Sequence, residues 1–290
     1  VNESLPGYVV MTELAAPQGG ASNWTNGFLP AYYQGTQLRS EGSPILDLDA
    51  PKWKNRAHQR ANLDTLAALN QMHLKDHPQH EDLKARMENY ELAFRMQMEV
   101  PGVIDLDQES AKTKEAYGMN DKETGSFGRQ CLLARRLIEK GVRFIQIFSG
   151  GWDSHDFIEK AHAKRIYSVD KPIAALIRDL KQRGMLDDTL IIWGGEFGRT
   201  PMAQGNGRDH HIQAFSLWMA GAGIKGGASW GSTDELGYAV AKDGVSVHDL
   251  HATMLNQLGI NHELLTFRSQ GLDFRLTGVE DARVVKEVLA

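Results

Sequence analysis

Asp153 and His155 stand two residues apart in Gly150-Gly151-Trp152-Asp153-Ser154-His155, directly after the apolar run Phe144–Phe148. In an extended segment alternate side chains face the same way, so this carboxylate and this imidazole turn toward one cavity while Ser154 turns away. One carboxylate oxygen and one imidazole nitrogen are two ligands for a divalent cation. Two more clusters follow: Gly194-Gly195-Glu196 after the run Leu190–Trp193, and Arg208-Asp209-His210-His211. Asp153, His155, Glu196 and His210 together make a mixed nitrogen and oxygen shell of the kind zinc, manganese or iron accept. Thiolates are excluded, because Cys131 is the only cysteine. The blander reading is that these groups hydrogen-bond their own loops, and a single Asp-x-His pair supports no more than that. Three such clusters at strand ends carry the metal reading further.

Arg199 and Arg208 add a second theme. A guanidinium fork matches the paired oxygens of phosphate, sulfate or carboxylate, and two forks beside a cation favour an anionic substrate. Each arginine alone is equally explained as the counter-charge of a neighbouring acid, Glu196 or Asp209. Ser149, Ser154 and Thr200 are near the same clusters, but capping or turning a loop is their simpler role.

The elements that must position these groups are legible. Phe144, Ile145, Ile147 and Phe148 form one short apolar run and Leu190, Ile191, Ile192 and Trp193 another, too short for helices and rich in strand formers. Their near-continuous apolarity suits strands covered on both faces. Between them Ile166, Val169, Ile173, Leu176, Ile177 and Leu180 recur at helical spacing, ending at Gly184 after Lys181 and Arg183. Strand, helix, strand predicts a parallel βαβ unit. Ligands of open α/β sheets bind beyond the carboxyl ends of the strands, where the two glycine-led clusters fall.

Further along, Asp249 precedes an amphipathic helix that ends at Gly259, and it reads as a helix-start residue. His248 and His251, three apart on one face, suit either a metal or a surface. His262 reads as a turn residue, and His211 points away from His210 and backs the site. Residues 1–51, rich in Gly, Pro, Ser and Asn, read as a loop-rich segment wrapped on a core, with short apolar pieces at Tyr8–Met11 and Ile45–Leu48. Residues 52–118 read as a helical hairpin, an insertion or a cap. The helix from Trp53 to about Val100 breaks near Asp76-His77-Pro78, with Leu63, Leu66, Leu69 and Met72 on one face and Leu83, Met87, Tyr90 and Phe94 on another. His73, His77 and His80 read as surface residues. Trp24, Phe28, Tyr32 and Tyr33 suit either a substrate cap or packing on the core. Residues 119–290 then form the α/β core with the metal site, all within one structural domain.

Composition bounds the reading. A chain of 290 residues that is 41% hydrophobic has enough apolar material for a large α/β domain. A net charge of -5 gives no bulk attraction to nucleic acid or anionic membranes. No run reaches transmembrane length and no signal peptide is visible. Cys131, in the helical stretch CLLARRLIEKG, reads as a small buried hydrophobe.

The stretch FGRQCLLARRLIEKGVRFIQIFSGGWDSH, with GGEFGRTP, GRDHH and HDLHATMLNQLGINH, resembles the bacterial domain of unknown function 1501 family. The early segment NWTNGFLPAYYQGTQLRSEGSPILDL resembles it too, so the likeness covers nearly the whole chain. That family is similar to the alkaline phosphatase and sulfatase superfamily, which hydrolyses phosphate or sulfate esters at one- or two-metal sites. The resemblance implies a three-layer α/β/α sandwich with a mostly parallel sheet, N-terminally truncated here because the family's opening strand and glycine-rich loop do not precede Val1. It also implies that Asp153, His155 and His210 serve a first metal. Glu196 stands where an Asp-His pair usually serves a second metal, with Phe197 in place of the histidine. Zinc is the leading metal, with manganese, calcium or iron as alternatives. Export to the periplasm or the exterior is implied, since family members are often secreted.

Two functional classes follow. One is a metal-dependent hydrolase of sulfate or phosphate esters, acting on a small anionic ester or a glycan, with Arg199 and Arg208 stabilising the charge that develops on the ester. The other is a noncatalytic, metal-stabilised binding or scaffold protein derived from the same fold. The absence of an HExxH motif argues against a peptidase.

Overall fold

A computed structural model describes residues 2–13, 16–39, 44–45, 48, 53, 55–78, 81–195 and 197–290. Glu196, His80 and residues 46 and 47 of the Ile45–Leu48 piece lie outside the described residues. The chain is mixed α/β and divides into two compact units, Val1–Gly150 with Tyr167–Leu176, and Gly151–Ile166 with Ile177–Ala290.

The first unit is organised by β1 (Tyr8–Thr12), the middle strand of a parallel three-stranded sheet. β2 (Thr36–Leu38) pairs along one edge. Helices α1 (Arg56–Asp76), α2 (Glu81–Ile104), α3 (Ala111–Ala116) and α4 (Gly125–Glu139) follow, and β3 (Phe144–Phe148) returns to the other edge of β1. Within the segment read as loop-rich, Tyr8–Thr12 is thus the buried centre of a sheet. Val9 and Val10 are fully buried and Met11 is 1% exposed. Burying three such side chains stabilises the unit by roughly 1.5–3 kcal/mol each. α4 covers this strand, with Cys131, Leu132, Leu133 and Leu137 buried and the Gln130 amide donating to the Thr12 carbonyl at 2.8 Å.

α4 also carries an ionic cluster. Arg135, 2% exposed, pairs with Glu109 at 2.8 Å and Glu139 at 2.6 Å, and Arg136 reaches the same Glu109 oxygen at 2.6 Å. Such buried charges are tolerated only when paired and hydrogen-bonded. Burial, with the Glu13 carboxylate nearby, pushes the Cys131 thiol well above its ordinary range, as befits an inert buried residue. The helical pair expected from Trp53 to about Val100 is present, broken between Asp76 and Glu81 and reaching Ile104. α1, however, buries no residue, and its Leu69 and Met72 are exposed. It is tied to α2 by Arg60, which pairs with Glu91 at 2.6 Å, and by the Arg56 guanidinium 4.0 Å over the Phe94 ring. Trp24 is buried against Phe148, while Phe28, Tyr32 and Tyr33 are exposed.

α5 (Ile158–Gln182) contributes to both units and stops ahead of Gly184, whose φ of 68° only glycine adopts readily. The second unit contains β4 (Ile191–Trp193), β5 (Gly198–Gln204), β6 (Gly207–His211), β7 (Trp218–Ala220), β8 (Ser232–Thr233), β9 (Val240–Lys242), α6 (Val247–Gln257), β10 (Thr266–Ser269) and β11 (Leu272–Arg275). Its strands pair antiparallel as β4 with β7, β5 with β6, β8 with β9 and β10 with β11. The succession β3, α5, β4 matches the sequence reading, and each strand pairs within its own unit among the described residues. β3 bonds β1 and β4 bonds β7. Among the described residues parallel pairing is confined to β1 and its two neighbours, so the sheet is smaller and less parallel than expected.

α6 begins with a capping box. The Ser246 hydroxyl accepts from the Asp249 amide at 3.0 Å, and the Asp249 carboxylate accepts from the Ser246 amide at 2.9 Å and the Arg283 amide at 2.8 Å. Asp249 is therefore structural, as the sequence suggested. Burial disfavours its charge, but these amides more than offset it and hold the carboxyl below its ordinary value of 3.8. A depressed folded pKa contributes stability above the unfolded value that is lost as pH falls through the folded one. Asp249→Asn is therefore expected to cost about 1 kcal/mol at pH 7. The gap from wild type should narrow steadily below about pH 4 in urea titrations, and a gap constant with pH would contradict the assignment.

Candidate metal centre

The site lies wholly in the second unit. The loop Trp152–Asp156 leads into α5, and three donors pin its first carbonyl. The Trp152 oxygen accepts from His162 Nε2 at 2.9 Å, from an Arg199 Nη at 3.0 Å and from the Ser154 amide at 3.0 Å. The Trp152 ring is wedged edge-on between His162 and Trp193. Phe157, at φ 50°, turns the chain into α5. A bulky residue rarely adopts that conformation, so the surrounding contacts hold the turn in place.

The other wall is the β5–β6 hairpin, which places Arg199 directly opposite His210. A two-residue turn, Gly205-Asn206, closes it, with Gly205 at the positive φ of 55° that tight hairpins use. The hairpin tip sits on the Trp152–Asp156 loop. The Asn206 amide donates to Asp156 Oδ1 at 2.9 Å, and a Cβ on Gly207 would lie 2.4 Å from the His155 carbonyl oxygen. Only glycine permits that approach.

These two walls bring Asp153, His155 and His210 together, with their three ligand atoms within 4.8 Å of one another. His210 Nε2 lies 2.7 Å and His155 Nε2 2.9 Å from the same atom, Asp153 Oδ1. The two imidazoles are 4.6 Å apart, and Phe197 packs on the outer face of His210 at 4.3 Å. A tetrahedral zinc ion with ligands near 2.0–2.1 Å separates them by roughly 3.3 Å, slightly wider than these hydrogen bonds. The donor set of two imidazole nitrogens and one carboxylate oxygen fits a borderline divalent cation. The hydrogen bond from His210, followed by that from Arg199 and the nearby imidazoles, holds the Asp153 carboxyl below its ordinary range despite some burial.

Arg199 joins the site through Asp153. One Nη lies 3.1 Å from Asp153 Oδ1 and the other donates to the Arg208 carbonyl at 3.0 Å. Arg208 is exposed, and donates through Nε to the Thr200 carbonyl at 2.6 Å and through an Nη to the Arg199 carbonyl at 3.3 Å. Both guanidinium groups are therefore held on the hairpin by backbone oxygens, and among the described residues Arg199 pairs with Asp153. Thr200 Oγ1 accepts from the Met202 amide, as a turn residue does. In the first unit Ser149 donates to Glu13 at 2.6 Å.

The remaining histidines separate cleanly among the described residues. His211 is 5% exposed, accepts from the Ala214 amide through Nδ1 and donates through Nε2 to the Gly237 carbonyl at 3.1 Å, so it is a structural latch. His262 is buried against Thr277, and the ligand cluster includes neither His248 nor His251. Gln204, Gly205 and Gly207 went unread in the sequence. The Gly-Asn pair at 205–206 is a hairpin signal, but the polar strands beside it lack the apolar alternation that would have marked them.

A site of this composition defines a candidate cation-binding protein. Over residues 1–289 the chain matches the family described as protein of unknown function (DUF1501), and it belongs to that family. Comparison with curated proteins and with solved structures found no match. No helix among the described residues is long and apolar enough to cross a membrane.

Gly207→Ala tests the hairpin contact. The added methyl must push the His155 backbone away, so Zn²⁺ affinity measured by calorimetry is expected to fall at least about 10-fold, as when ligand-orienting groups are lost. Unchanged affinity would show that the contact does not position His155.

Proposed function

We propose that this chain carries the metal centre of a hydrolase acting on sulfate or phosphate esters, small or on a glycan. The convergence of Asp153, His155 and His210 on one point carries the reading. The resemblance to the alkaline phosphatase and sulfatase superfamily supplies the reaction class. Zinc is the preferred ion, with manganese or iron next; two imidazoles make a poor shell for calcium, which takes oxygen ligands. When bound, such an ion polarises an ester oxygen and acidifies a water ligand. The chain's own residues do the rest. Asp153 and the two imidazoles hold the charge in place, and Phe197 shields one face of His210. Arg199 and Arg208, fixed by backbone carbonyls at the hairpin, would stabilise the negative charge that develops on an ester. Glu196 is assigned to the same shell from the sequence.

The test loads the purified chain with Zn²⁺ or Mn²⁺ and offers p-nitrophenyl sulfate and p-nitrophenyl phosphate. Metal-dependent release of nitrophenolate is expected, falling about 100-fold or more in Asp153→Ala and His210→Ala, a larger loss than removal of an orienting group gives. A stoichiometrically loaded protein that cleaves neither ester class would overturn the hydrolase reading in favour of a metal-stabilised scaffold.

A further inference from the structure

Gln204 is the last residue of β5, and its carboxamide oxygen lies 2.5 Å from His155 Nδ1. A carbonyl oxygen can only accept, so Nδ1 must carry the proton. The other ring nitrogen, Nε2, is the one that faces Asp153 Oδ1 at 2.9 Å and belongs to the ligand cluster. In the metal-free ring Nε2 also faces an acceptor; once a cation takes its lone pair, the ring's remaining proton stays on Nδ1, the nitrogen that Gln204 faces. We infer that Gln204 is a positioning residue for the metal centre: by accepting the Nδ1 proton of His155 it presents the Nε2 lone pair to the cation. The inference rests on the metal reading of this site and names a residue that reading did not contain.

The surroundings show that the hairpin tip grips His155 in two ways. Gly207 and the Asn206 amide fix the backbone of His155 and Asp156, through the approach that only glycine allows and the 2.9 Å bond to Asp156 Oδ1. Gln204, from the same turn, fixes the ring. The ring is further bounded by His210, 4.6 Å away, so rotation that released Gln204 would also disturb the facing imidazole. His210 arrives on the other strand of the hairpin, so one two-stranded element supplies a ligand and orients a second. A hydrogen-bond acceptor on the remote nitrogen also raises the basicity of the ligating one, and removing such partners typically costs about 10–100-fold in metal affinity.

The experiment compares wild type, Gln204→Leu and Gln204→Glu. Zn²⁺ affinity is read by calorimetry, and the protonated ring nitrogen of His155 by long-range ¹H–¹⁵N correlation on the proteins with and without Zn²⁺. Gln204→Leu is expected to weaken Zn²⁺ binding about 10–100-fold and to leave His155 a mixture of tautomers. Gln204→Glu keeps an acceptor and is expected to restore both the affinity and the Nδ1–H form. Gln204 lies on the exposed hairpin, and circular dichroism checks that each variant folds; should Leu disturb the fold, Gln204→Asn, too short to reach, replaces it. Zn²⁺-loaded wild type with His155 in the Nε2–H form, or Leu and wild type of equal affinity, would overturn the inference. Wild type that binds no Zn²⁺ while His155 holds the Nδ1–H form would overturn the metal reading instead, and leave the orienting bond established.

Discussion

One carboxylate oxygen, Asp153 Oδ1, is approached by His210, His155 and Arg199 at 2.7, 2.9 and 3.1 Å. The rest of the site depends on that meeting. Its Coulombic worth is small, because the Asp153 side chain is 60% exposed and solvent screens exposed pairs. Its geometric consequence is larger. Three donors on one oxygen are a poor use of hydrogen bonds but a good outline of a cation's shell, since two of them are imidazoles that ligate once a proton gives way to a metal. The protein invests its rigid contacts in holding this cluster: three donors on the Trp152 carbonyl, a glycine-only approach at Gly207, and a carboxamide behind His155.

What was legible in the sequence followed from how local each signal was. The strand Phe144–Phe148, the helix ending before Gly184, the helix break near Pro78 and the buried Cys131 each rest on periodicity or on a single punctuating residue. All appear in the structure. Asp153, His155 and His210 were also legible, because chemistry-bearing residue types right after apolar runs and glycines are conspicuous. Partner choice was not. Tyr8–Met11 reads as a short apolar piece within a loop-rich segment because four apolar residues amid Gly and Pro give no hint that β3, more than 130 residues on, will pair with them. The same non-locality hides the partner of β4, since β7 follows it across an intervening hairpin.

The arginines show a different limit. Their type announced an anion-binding role, and charge complementarity placed them near acids, yet a guanidinium has five donors and can serve a backbone and a ligand at once. Only geometry reveals that Arg199 braces Trp152, Asp153 and Arg208 together. Gln204 is the converse case. A lone glutamine carries no chemical signal, and its role emerges only from the ring nitrogen it faces. The pattern suits a site whose ligands lie on a loop and whose precision comes from the hairpin behind it.

The central claim is that two imidazoles and one carboxylate of this chain bind the same ion. X-ray absorption at the zinc edge, on protein loaded with one equivalent, tests it most directly. A shell of oxygen and nitrogen scatterers at about 2.0–2.1 Å is expected, with the outer-ring scattering of two imidazoles that halves in His210→Ala. A shell of oxygens without imidazole scattering, or a spectrum unchanged by that substitution, would contradict it.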